Sequence, residues 1–313
     1  MSLSQSIPQE DPRPRRLRRH KAPRTAGGGV GLGANTIFAD RPMGGRLRAV
    51  RRLTLVLLWT LLAVPVQGAL LLVPGRGKVR FARFYHATLC RIIGLKVQVL
   101  GQPCRQGPVL YVANHASWLD ILVLGSVVEG CFIAKAEVDS YPLVNIIARV
   151  GRTVFVSRNR GTTGKEADAM KTRMQAGDNL ILFPEGTSND GTRVLPFRSA
   201  FLGVAKDAAA VQPISLVYDR VGGLPALRRN RAIFAWFGDM ELGSHAWALL
   251  RHGGARATVL LHEPFAPAQM QDRKLMARET GRVVSAGAAD LRQNRPTQPR
   301  AMAHLQPQLV HHA

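Results

Sequence analysis

Residues Pro108–Lys135 read PVLYVANHASWLDILVLGSVVEGCFIAK, and this stretch is the most informative about the fold class. Two apolar runs, at 108–113 and 131–135, have the length of buried strands. Between them, residues 117–128 have the pattern and length of a helix. Both strand runs are apolar throughout instead of alternating with polar residues, which is typical of strands covered on both faces. The stretch therefore predicts a strand–helix–strand unit inside a layered domain.

The same alternation of strands and helices continues along the chain. We expect an α/β fold, with a mixed α+β fold as the alternative, in which a mostly parallel central sheet is flanked by helices. Residues 101–290 are predicted to form this domain. Further strands are predicted at 96–100, 153–157, 179–183, 211–217, 231–237 and 256–262, and further helices at 141–150, 164–176 and 197–209.

The two ends of the chain differ in composition from this domain. Residues 1–45 are rich in Arg, Pro and Gly and lack apolar periodicity, so we expect a disordered basic tail. Residues 291–313 are polar and contain Pro, which predicts a second disordered tail. The segment between the first tail and the domain, residues 46–100, is predicted to anchor the chain to a membrane through an N-terminal helical segment.

Residues Leu53–Val73 are the apolar part of this anchor. They form 21 consecutive uncharged residues, enough to cross a hydrocarbon core. Pro65, Gln67 and Gly68 interrupt the run, so a kinked span and a re-entrant hairpin both remain open. The arginines that precede the run predict a cytoplasmic N-terminus. We therefore expect a membrane-anchored protein whose N-terminus lies on the cytoplasmic side.

A basic amphipathic pattern follows in Val79–Gly101. Aromatic and aliphatic residues recur at steps of three and four, with arginines between them. This pattern is typical of a helix that lies on a membrane surface. Packing of the same helix against the domain explains the pattern equally well.

The overall charge of the chain is +23, from 43 Lys and Arg against 20 Asp and Glu. Such an excess indicates an anionic partner, namely nucleic acid, a membrane surface or a phosphorylated substrate. Aromatic residues make up only 6% of the chain, which argues against a protein that stacks nucleic-acid bases. The three cysteines have no CxxC spacing, which disfavours a disulfide framework or a zinc site.

The loop after the first quoted strand, NHASWLD, holds the first candidate site. A neutral histidine can remove a proton from a hydroxyl when a carboxylate orients its ring, and His115 and Asp120 stand five residues apart. The alternative is that Ser117 and Asp120 form a capping box, S-x-x-D, at the start of the helix. On this stretch alone, both interpretations remain open.

Two more polar stretches follow strands. In Leu182–Gly191 the glycines and the hydroxyls of Thr187 and Ser188 can present donors to an anion or a polyol, and Glu185 can accept from a hydroxyl. An ordinary Pro/Gly turn explains the same residues. Arg158, in the next stretch, can bind phosphate in a bidentate manner, or can be an exposed basic residue.

All three stretches begin at the predicted carboxyl ends of strands, where open α/β sheets collect ligands. A histidine–carboxylate pair, a polar glycine turn and a basic site are expected to converge there. Beside a basic membrane anchor, they indicate transfer of a group to the hydroxyl of an anionic amphiphile at the membrane surface.

The chain resembles the glycerolipid acyltransferase family, whose prototype is the bacterial 1-acyl-sn-glycerol-3-phosphate acyltransferase. Four blocks carry the resemblance, in the order in which the family has them. They are N-H-x4-D at Asn114–Asp120, a strand ending in arginine at Val154–Arg158, F-P-E-G-T-S at Phe183–Ser188, and V-x-P at Val211–Pro213. The resemblance covers roughly residues 75–270.

The resemblance implies a mechanism without an acyl-enzyme. His115 would be the general base, Asp120 would orient it, and the acceptor hydroxyl would attack the acyl thioester directly. Arg158 would bind the phosphate of the head group. The remaining substrate-binding residues would be Glu185, Gly186, Thr187 and Ser188. The donor would be acyl-CoA or acyl-acyl carrier protein, and no metal or other cofactor is expected.

The resemblance leaves the acceptor open. The leading expectation is 1-acyl-sn-glycerol-3-phosphate, which would give phosphatidic acid. Residues Asp190–Ala200 resemble the branch that acylates lyso-ornithine lipids, so that acceptor is the alternative. The expected partners are membrane lipids, a lysophospholipid or lyso-ornithine lipid, and acyl carrier protein, with no nucleic acid. A non-catalytic, membrane-bound anion-binding protein is the hypothesis of a different class.

Overall fold

The computed structural model describes residues 45–135, 151–156 and 163–302. Its α-helices are α1 Arg46–Leu71, α2 Gly77–Ile93, α3 Leu119–Val127, α4 Thr163–Gln175, α5 Leu242–Arg251 and α6 Arg273–Arg292. Its strands are β1 Leu95–Leu100, β2 Val109–Ala113, β3 Cys131–Lys135, β4 Val154–Val156, β5 Leu180–Leu182, β6 Ala210–Val221, β7 Leu224–Pro225 and β8 Ala255–Leu261. Short 3-10 helices lie at Ser199–Asp207, Arg228–Ile233 and Pro267–Gln269.

The strands form one mixed sheet in the order β1-β8-β6-β2-β5-β3-β4, with β7 attached to β6. The pairs formed by β2 with its neighbours β5 and β6, by β3 with β4 and β5, and by β1 with β8 are parallel. Only the pairs of β6 with β7 and β8 are antiparallel within the described residues. The predicted α/β fold with a mostly parallel sheet flanked by helices is therefore confirmed. We call the carboxyl ends of β2 and β5, with the adjoining part of β6, the site edge.

Strand β2 explains why the quoted stretch has no polar alternation. Val109, Tyr111 and Ala113 join one core cluster, which contains residues of α2, α3 and α5. Leu110 and Val112 join the other cluster, which contains residues of α4 and α6. Helices thus cover both faces of the sheet, and every residue of β2 is buried.

Helices α1 and α2 form a helical hairpin, named the N-terminal hairpin below. The ring of Trp59 packs edge-on against Phe84 and stacks with Tyr85, and the Gln67 side chain donates to the carbonyl of Lys78. Helix α1 continues through Pro65, so the expected interruption does not break it. Within the described residues, α1 is the one helix long and apolar enough to cross a membrane.

Two polar contacts tie this hairpin to the domain. Arg52, buried at the base of α1, donates to the carbonyls of Leu250 at 3.1 Å and His252 at 2.7 Å. These carbonyls belong to the carboxyl end of α5, where a cation also complements the helix dipole. Arg48 makes a similar contact to the Arg251 carbonyl at 3.2 Å.

Three predictions of elements need correction. The apolar run 231–237 is not a strand: it ends the 3-10 helix Arg228–Ile233 and buries Phe234 against the sheet, because β6 already has partners on both sides. The predicted helix 197–209 is a 3-10 helix. The disordered tail expected from residue 291 does not hold for residues 291–302, since α6 ends at Arg292 and Met302 is buried.

Other predicted elements lie outside the described residues. They are the tail up to residue 44, the helix 141–150 and the end of the chain from residue 303. Helices α5 and α6 had no predicted counterpart.

Candidate active site

The candidate active site lies at the site edge. His115 follows β2, and Glu185 follows β5, which pairs in parallel with β2. Because the carboxyl ends of parallel neighbours meet at one edge, the two loops touch: the His115 backbone N–H donates to Glu185 Oε1 at 2.8 Å. The NHASWLD and FPEGTS stretches are therefore adjacent, as their sequence context predicted.

His115 and Asp120 form the expected pair. His115 Nδ1 lies 2.9 Å from Asp120 Oδ2. The Asp120 side chain is 1% exposed and that of His115 is 20% exposed, so the carboxylate is enclosed while the imidazole reaches the surface. Because Nδ1 is held by the carboxylate, Nε2 is the nitrogen left to take a proton from a bound hydroxyl.

The same carboxylate also caps the start of α3. Asp120 Oδ2 accepts from the backbone N–H groups of Ala116 at 2.7 Å and Ser117 at 2.9 Å. Ser117 Oγ accepts from the N–H of Leu119 at 3.3 Å. Catalysis and capping were posed as alternatives, but one carboxylate serves both geometries. The cap fixes the position of Asp120, and Asp120 then fixes the imidazole.

A stack of aromatic rings orients the imidazole from its other side. The rings of His115 and Phe183 are 4.1 Å apart between centroids and inclined by 17°. Phe183 stacks in turn on Phe132 of β3, at 6.3 Å and 16°. The ring of His115 is therefore set by one hydrogen bond and one stacking contact, which reduces its rotamer freedom before substrate arrives.

Tyr218 of β6 is a site residue that the sequence patterns did not indicate. Its hydroxyl donates to Asp120 Oδ1 at 2.6 Å. Burial, helped by the Asp120 carboxylate, raises the pKa of Tyr218 well above its ordinary value, so the hydroxyl stays protonated and remains a donor. The Tyr218 ring is stacked on Phe234, with centroids 4.9 Å apart. Each Asp120 oxygen thus has a fixed donor.

Asn114 ties the loop after β2 to β6. Its side-chain amide donates to the Leu216 carbonyl at 2.9 Å, and its side-chain oxygen accepts from the Leu216 N–H at 2.8 Å. These two hydrogen bonds take the place of two backbone–backbone hydrogen bonds between β2 and β6, at the point where β2 ends. The asparagine of the N-H-x4-D block thereby places the loop that carries His115.

Glu185 organises the loops rather than facing solvent. It is 1% exposed, and its carboxylate accepts from the N–H groups of His115 and Leu195 and from the side-chain amide of Asn189. Burial raises the pKa of Glu185 to about 7, against the lowering effect of these three hydrogen bonds. With its oxygens occupied in this way, Glu185 differs from the substrate-hydroxyl acceptor that the sequence suggested. Asn189, which also donates to the His115 carbonyl at 3.1 Å, was missed.

The other predicted residues of this turn lie at the protein surface. Gly186 has φ +69°, and a Cβ there would meet the Phe201 ring at 2.9 Å, so the turn requires glycine. Thr187 is exposed and Ser188 is half-buried. Arg158 lies outside the described residues.

Comparison with known proteins identifies relatives of this chain. The family model described as Acyltransferase matches residues 96–217, which include His115, Asp120 and Glu185. A lyso-ornithine lipid O-acyltransferase of Brucella abortus (strain 2308) is 37% identical over 245 residues, covering 75% of this chain and 92% of that protein. A 1-acyl-sn-glycerol-3-phosphate acyltransferase of Neisseria gonorrhoeae is 38% identical over 163 residues, covering 50% and 60%.

The fold also has a counterpart among solved structures. The crystal structure of the 1-acyl-sn-glycerophosphate (LPA) acyltransferase PlsC from Thermotoga maritima superposes with a TM-score of 0.56 at 22% identity, covering 80% of this chain and all 100% of that one. These relationships contradict the hypothesis of a non-catalytic anion-binding protein. The chain belongs to the acyltransferase family and is an acyltransferase.

Proposed function

We propose that the enzyme moves a fatty acyl group from a thioester donor, acyl-CoA or acyl-acyl carrier protein, to the free hydroxyl of a lysolipid. The observation that carries this proposal is the His115–Asp120 pair, with Nδ1 bound to the carboxylate and the ring 20% exposed. A base with one nitrogen fixed, on a ring that is partly exposed, suits deprotonation of a bound alcohol.

The chemistry balances without a covalent enzyme intermediate. His115 Nε2 takes the hydroxyl proton while the hydroxyl oxygen bonds to the thioester carbonyl carbon. The tetrahedral intermediate then collapses, the carbon–sulfur bond breaks, and the thiolate takes the proton from the imidazolium. The products are an ester and a free thiol, and His115 is neutral again.

Lyso-ornithine lipid is the first acceptor that we propose. The chain covers 92% of the Brucella lyso-ornithine lipid O-acyltransferase, against 60% of the Neisseria 1-acyl-sn-glycerol-3-phosphate acyltransferase. This order reverses the expectation from sequence motifs. Lysophosphatidate is the second candidate, since the stretch shared with its acyltransferase is equally similar, at 38% identity.

The deciding experiment supplies the purified full-length enzyme with labelled acyl-CoA or acyl-acyl carrier protein and each lysolipid in turn. We expect labelled diacyl product with lyso-ornithine lipid, and loss of product by about 10²-fold or more in His115→Ala. His252→Gln, at the end of α5, is the matched histidine control and should retain activity. Product formation by His115→Ala at the wild-type rate would contradict the mechanism, and absence of product with every lysolipid would contradict the function.

We further propose that the N-terminal hairpin embeds in the bacterial inner membrane and that the site edge faces the cytoplasm. Leu61 and Leu62 of α1 are 72% and 64% exposed, and such a row of leucines is stable when lipid covers it. We expect the protein to sediment with membranes and to resist a high-salt wash. Release of the intact protein by salt alone would rule out an embedded hairpin.

A further inference from the structure

A cavity separate from the exposed face of the His115 ring opens at the site edge, between the ends of β2 and β6. Its walls are formed partly by the catalytic loop and partly by guanidinium groups from three other elements. We call it the arginine cavity. Its principal lining residues are Asn114, Ala116, Tyr218, Arg193, Arg231 and Arg292.

The three arginines come from parts of the chain that are distant in sequence. Arg193 lies in the loop after β5, Arg231 lies in the 3-10 helix Arg228–Ile233, and Arg292 is the last residue of α6. Folding therefore assembles a group of cations that no local motif encodes. A group of guanidinium groups on a concave surface can surround an oxyanion with paired N–H donors.

The charge at this cavity is not balanced by the surrounding acids. In the described part of the chain, the close ion pairs of the domain are made by other arginines, among them Arg152, Arg256 and Arg300. The acid that faces the cavity arginines is Asp190, which already accepts from the N–H and hydroxyl of Thr192. Buried Glu185 interacts with Arg292 as well. Arg228 stands beside these groups, so four cations face two acids.

The positive charges of these arginines therefore repel one another. Burial, and then the charge of Arg228, lowers the pKa of Arg231. Burial, and then the charge of Arg231, lowers the pKa of Arg292. Arginine stays charged despite such shifts, so the repulsion persists until an anion enters. Like charges that cluster without a close ion pair among the described residues are typical of a functional site.

We propose that the arginine cavity binds the oxyanion of the acceptor head group. This inference rests on the proposed lysolipid acyl transfer. Asn114 and Ala116, which flank His115 in the chain, line the cavity, so an anion held there keeps the acceptor lipid beside the catalytic loop. Carboxylate and phosphate share the required chemistry. The carboxylate would come from an ornithine head group, and the phosphate from lysophosphatidate.

The test measures steady-state kinetics of the full-length enzyme in detergent–phospholipid micelles. The variants are Arg231→Gln, Arg292→Gln and the charge-retaining Arg231→Lys. The matched control is Arg229→Gln, an exposed arginine of the same 3-10 helix that does not line the cavity. Thermal midpoints confirm that each variant is folded.

We expect the KM for the anionic acceptor to rise about tenfold or more in each Gln variant, since hydrogen bonds to charged groups are lost, and to rise less in Arg231→Lys. The KM for acyl-CoA should stay as in wild type. Separate titrations with lyso-ornithine lipid and lysophosphatidate identify the anion: a rise for the first points to carboxylate, and a rise for the second to phosphate. Both results support the proposal.

Three outcomes would overturn the inference while the enzyme remains active. The first is an unchanged acceptor KM in folded Arg231→Gln and Arg292→Gln. The second is a rise in the KM for acyl-CoA alone, which would assign the arginines to donor phosphates. The third is an equal rise in Arg229→Gln, which would reduce the effect to general surface charge. Inactivity of the wild type with both lysolipids would instead overturn the proposed function, and this inference with it.

Discussion

The site edge and the N-terminal hairpin use burial in opposite ways. At the site edge polar groups are enclosed, and Asp120 and Glu185 each accept hydrogen bonds from at least three groups. In α1 the leucines are exposed, and a few polar contacts at its base hold the helix to the domain. In the first region the carboxylates are enclosed by protein donors, whereas in the second the described residues leave the leucines of α1 uncovered.

This difference predicts how the two regions respond to substitution. A buried carboxylate with several donors cannot change without leaving N–H or O–H groups unpaired, so the effects at the site edge should be large and should couple activity to stability. A contact at the base of the hairpin should affect stability and leave the chemistry intact.

Asp120→Asn should have the largest effect of these. The amide keeps the volume of the side chain but removes the negative charge that fixes the His115 tautomer and stabilises its protonated form. We expect kcat to fall by about 10² to 10⁴-fold, measured with saturating donor and acceptor. Asp219→Asn is the control: it breaks the ion pair between buried Asp219 on β6 and Arg256 on β8, and it should lower the thermal midpoint while kcat stays within about twofold. Similar kcat values for the two variants would remove Asp120 from the mechanism.

Glu185→Gln should change how stability depends on pH. The folded-state pKa of about 7 lies above the ordinary value of 4.5, so between these values the folded protein binds more protons than the unfolded chain. The contribution of Glu185 to the free energy of unfolding is therefore most favourable below about pH 4.5. This contribution falls as pH rises through 7, by about 3 kcal/mol at most.

The measurement is the difference in thermal midpoint between Glu185→Gln and wild type from pH 5 to 8. The lost hydrogen bonds give a constant offset, and the variant should gain on wild type as pH rises. Glu241→Gln is the control: hydrogen bonds from Ser244 and Gly243 lower the pKa of this exposed α5 cap, so its difference from wild type should be flat over that range. Parallel curves for Glu185→Gln would show that burial does not perturb this carboxyl.

The sequence was informative about the site wherever the site is local. His115, Asp120 and Ser117 lie within one loop and one helical turn, so their spacing alone limited the geometry. The blocks Asn114–Asp120 and Phe183–Ser188 each follow a strand, and the two strands are parallel neighbours, so the blocks lie at the same edge of the sheet. Tyr218, Phe183 and the arginine cavity could not be predicted in this way. Their contacts depend on strand order and register, which bring β6 and β5 to either side of β2.

The elements that were predicted wrongly have a common physical cause. An apolar run such as 231–237 predicts that its residues are buried, but it does not predict which element covers them. β6 is already flanked by β2 and β8, so the run packs on the sheet face instead of extending the ladder. Helix α6 was missed although its buried positions, such as Met276, Thr280 and Val284, recur at helical spacing, because small and polar residues make that face weakly apolar.

Arg52→Met tests the base of the hairpin. Two charge-assisted hydrogen bonds to the Leu250 and His252 carbonyls are lost, while the aliphatic volume is kept. We expect a loss of about 1.5 to 3 kcal/mol, seen as a thermal midpoint lower by several degrees, with kcat unchanged. Arg48→Met removes a single hydrogen bond, and that bond is more exposed, so this variant should lower the thermal midpoint less. A fall in kcat without loss of stability would show that the hairpin base is coupled to the site edge.

Tyr218→Phe should give the smallest effect, and the most specific one. The variant removes the donor to Asp120 Oδ1 but leaves the stack on Phe234 in place. If loss of this hydrogen bond raises the activation free energy by about 1.5 kcal/mol, kcat falls about tenfold. The KM for both substrates should stay unchanged.

Comparison of kcat with the thermal midpoint of this variant separates positioning from simple stability. Without the Tyr218 hydroxyl, Asp120 Oδ1 loses its side-chain donor and the carboxylate holds the imidazole less firmly, so kcat should fall further than the loss of stability accounts for. Tyr111→Phe is the matched control, because that buried tyrosine donates to the Cys104 carbonyl at 3.3 Å, away from the catalytic pair. It should lower the thermal midpoint and leave kcat unchanged. If Tyr218→Phe behaves in the same way, Tyr218 supports the fold alone, and the orientation of Asp120 rests on the backbone N–H groups of the α3 cap.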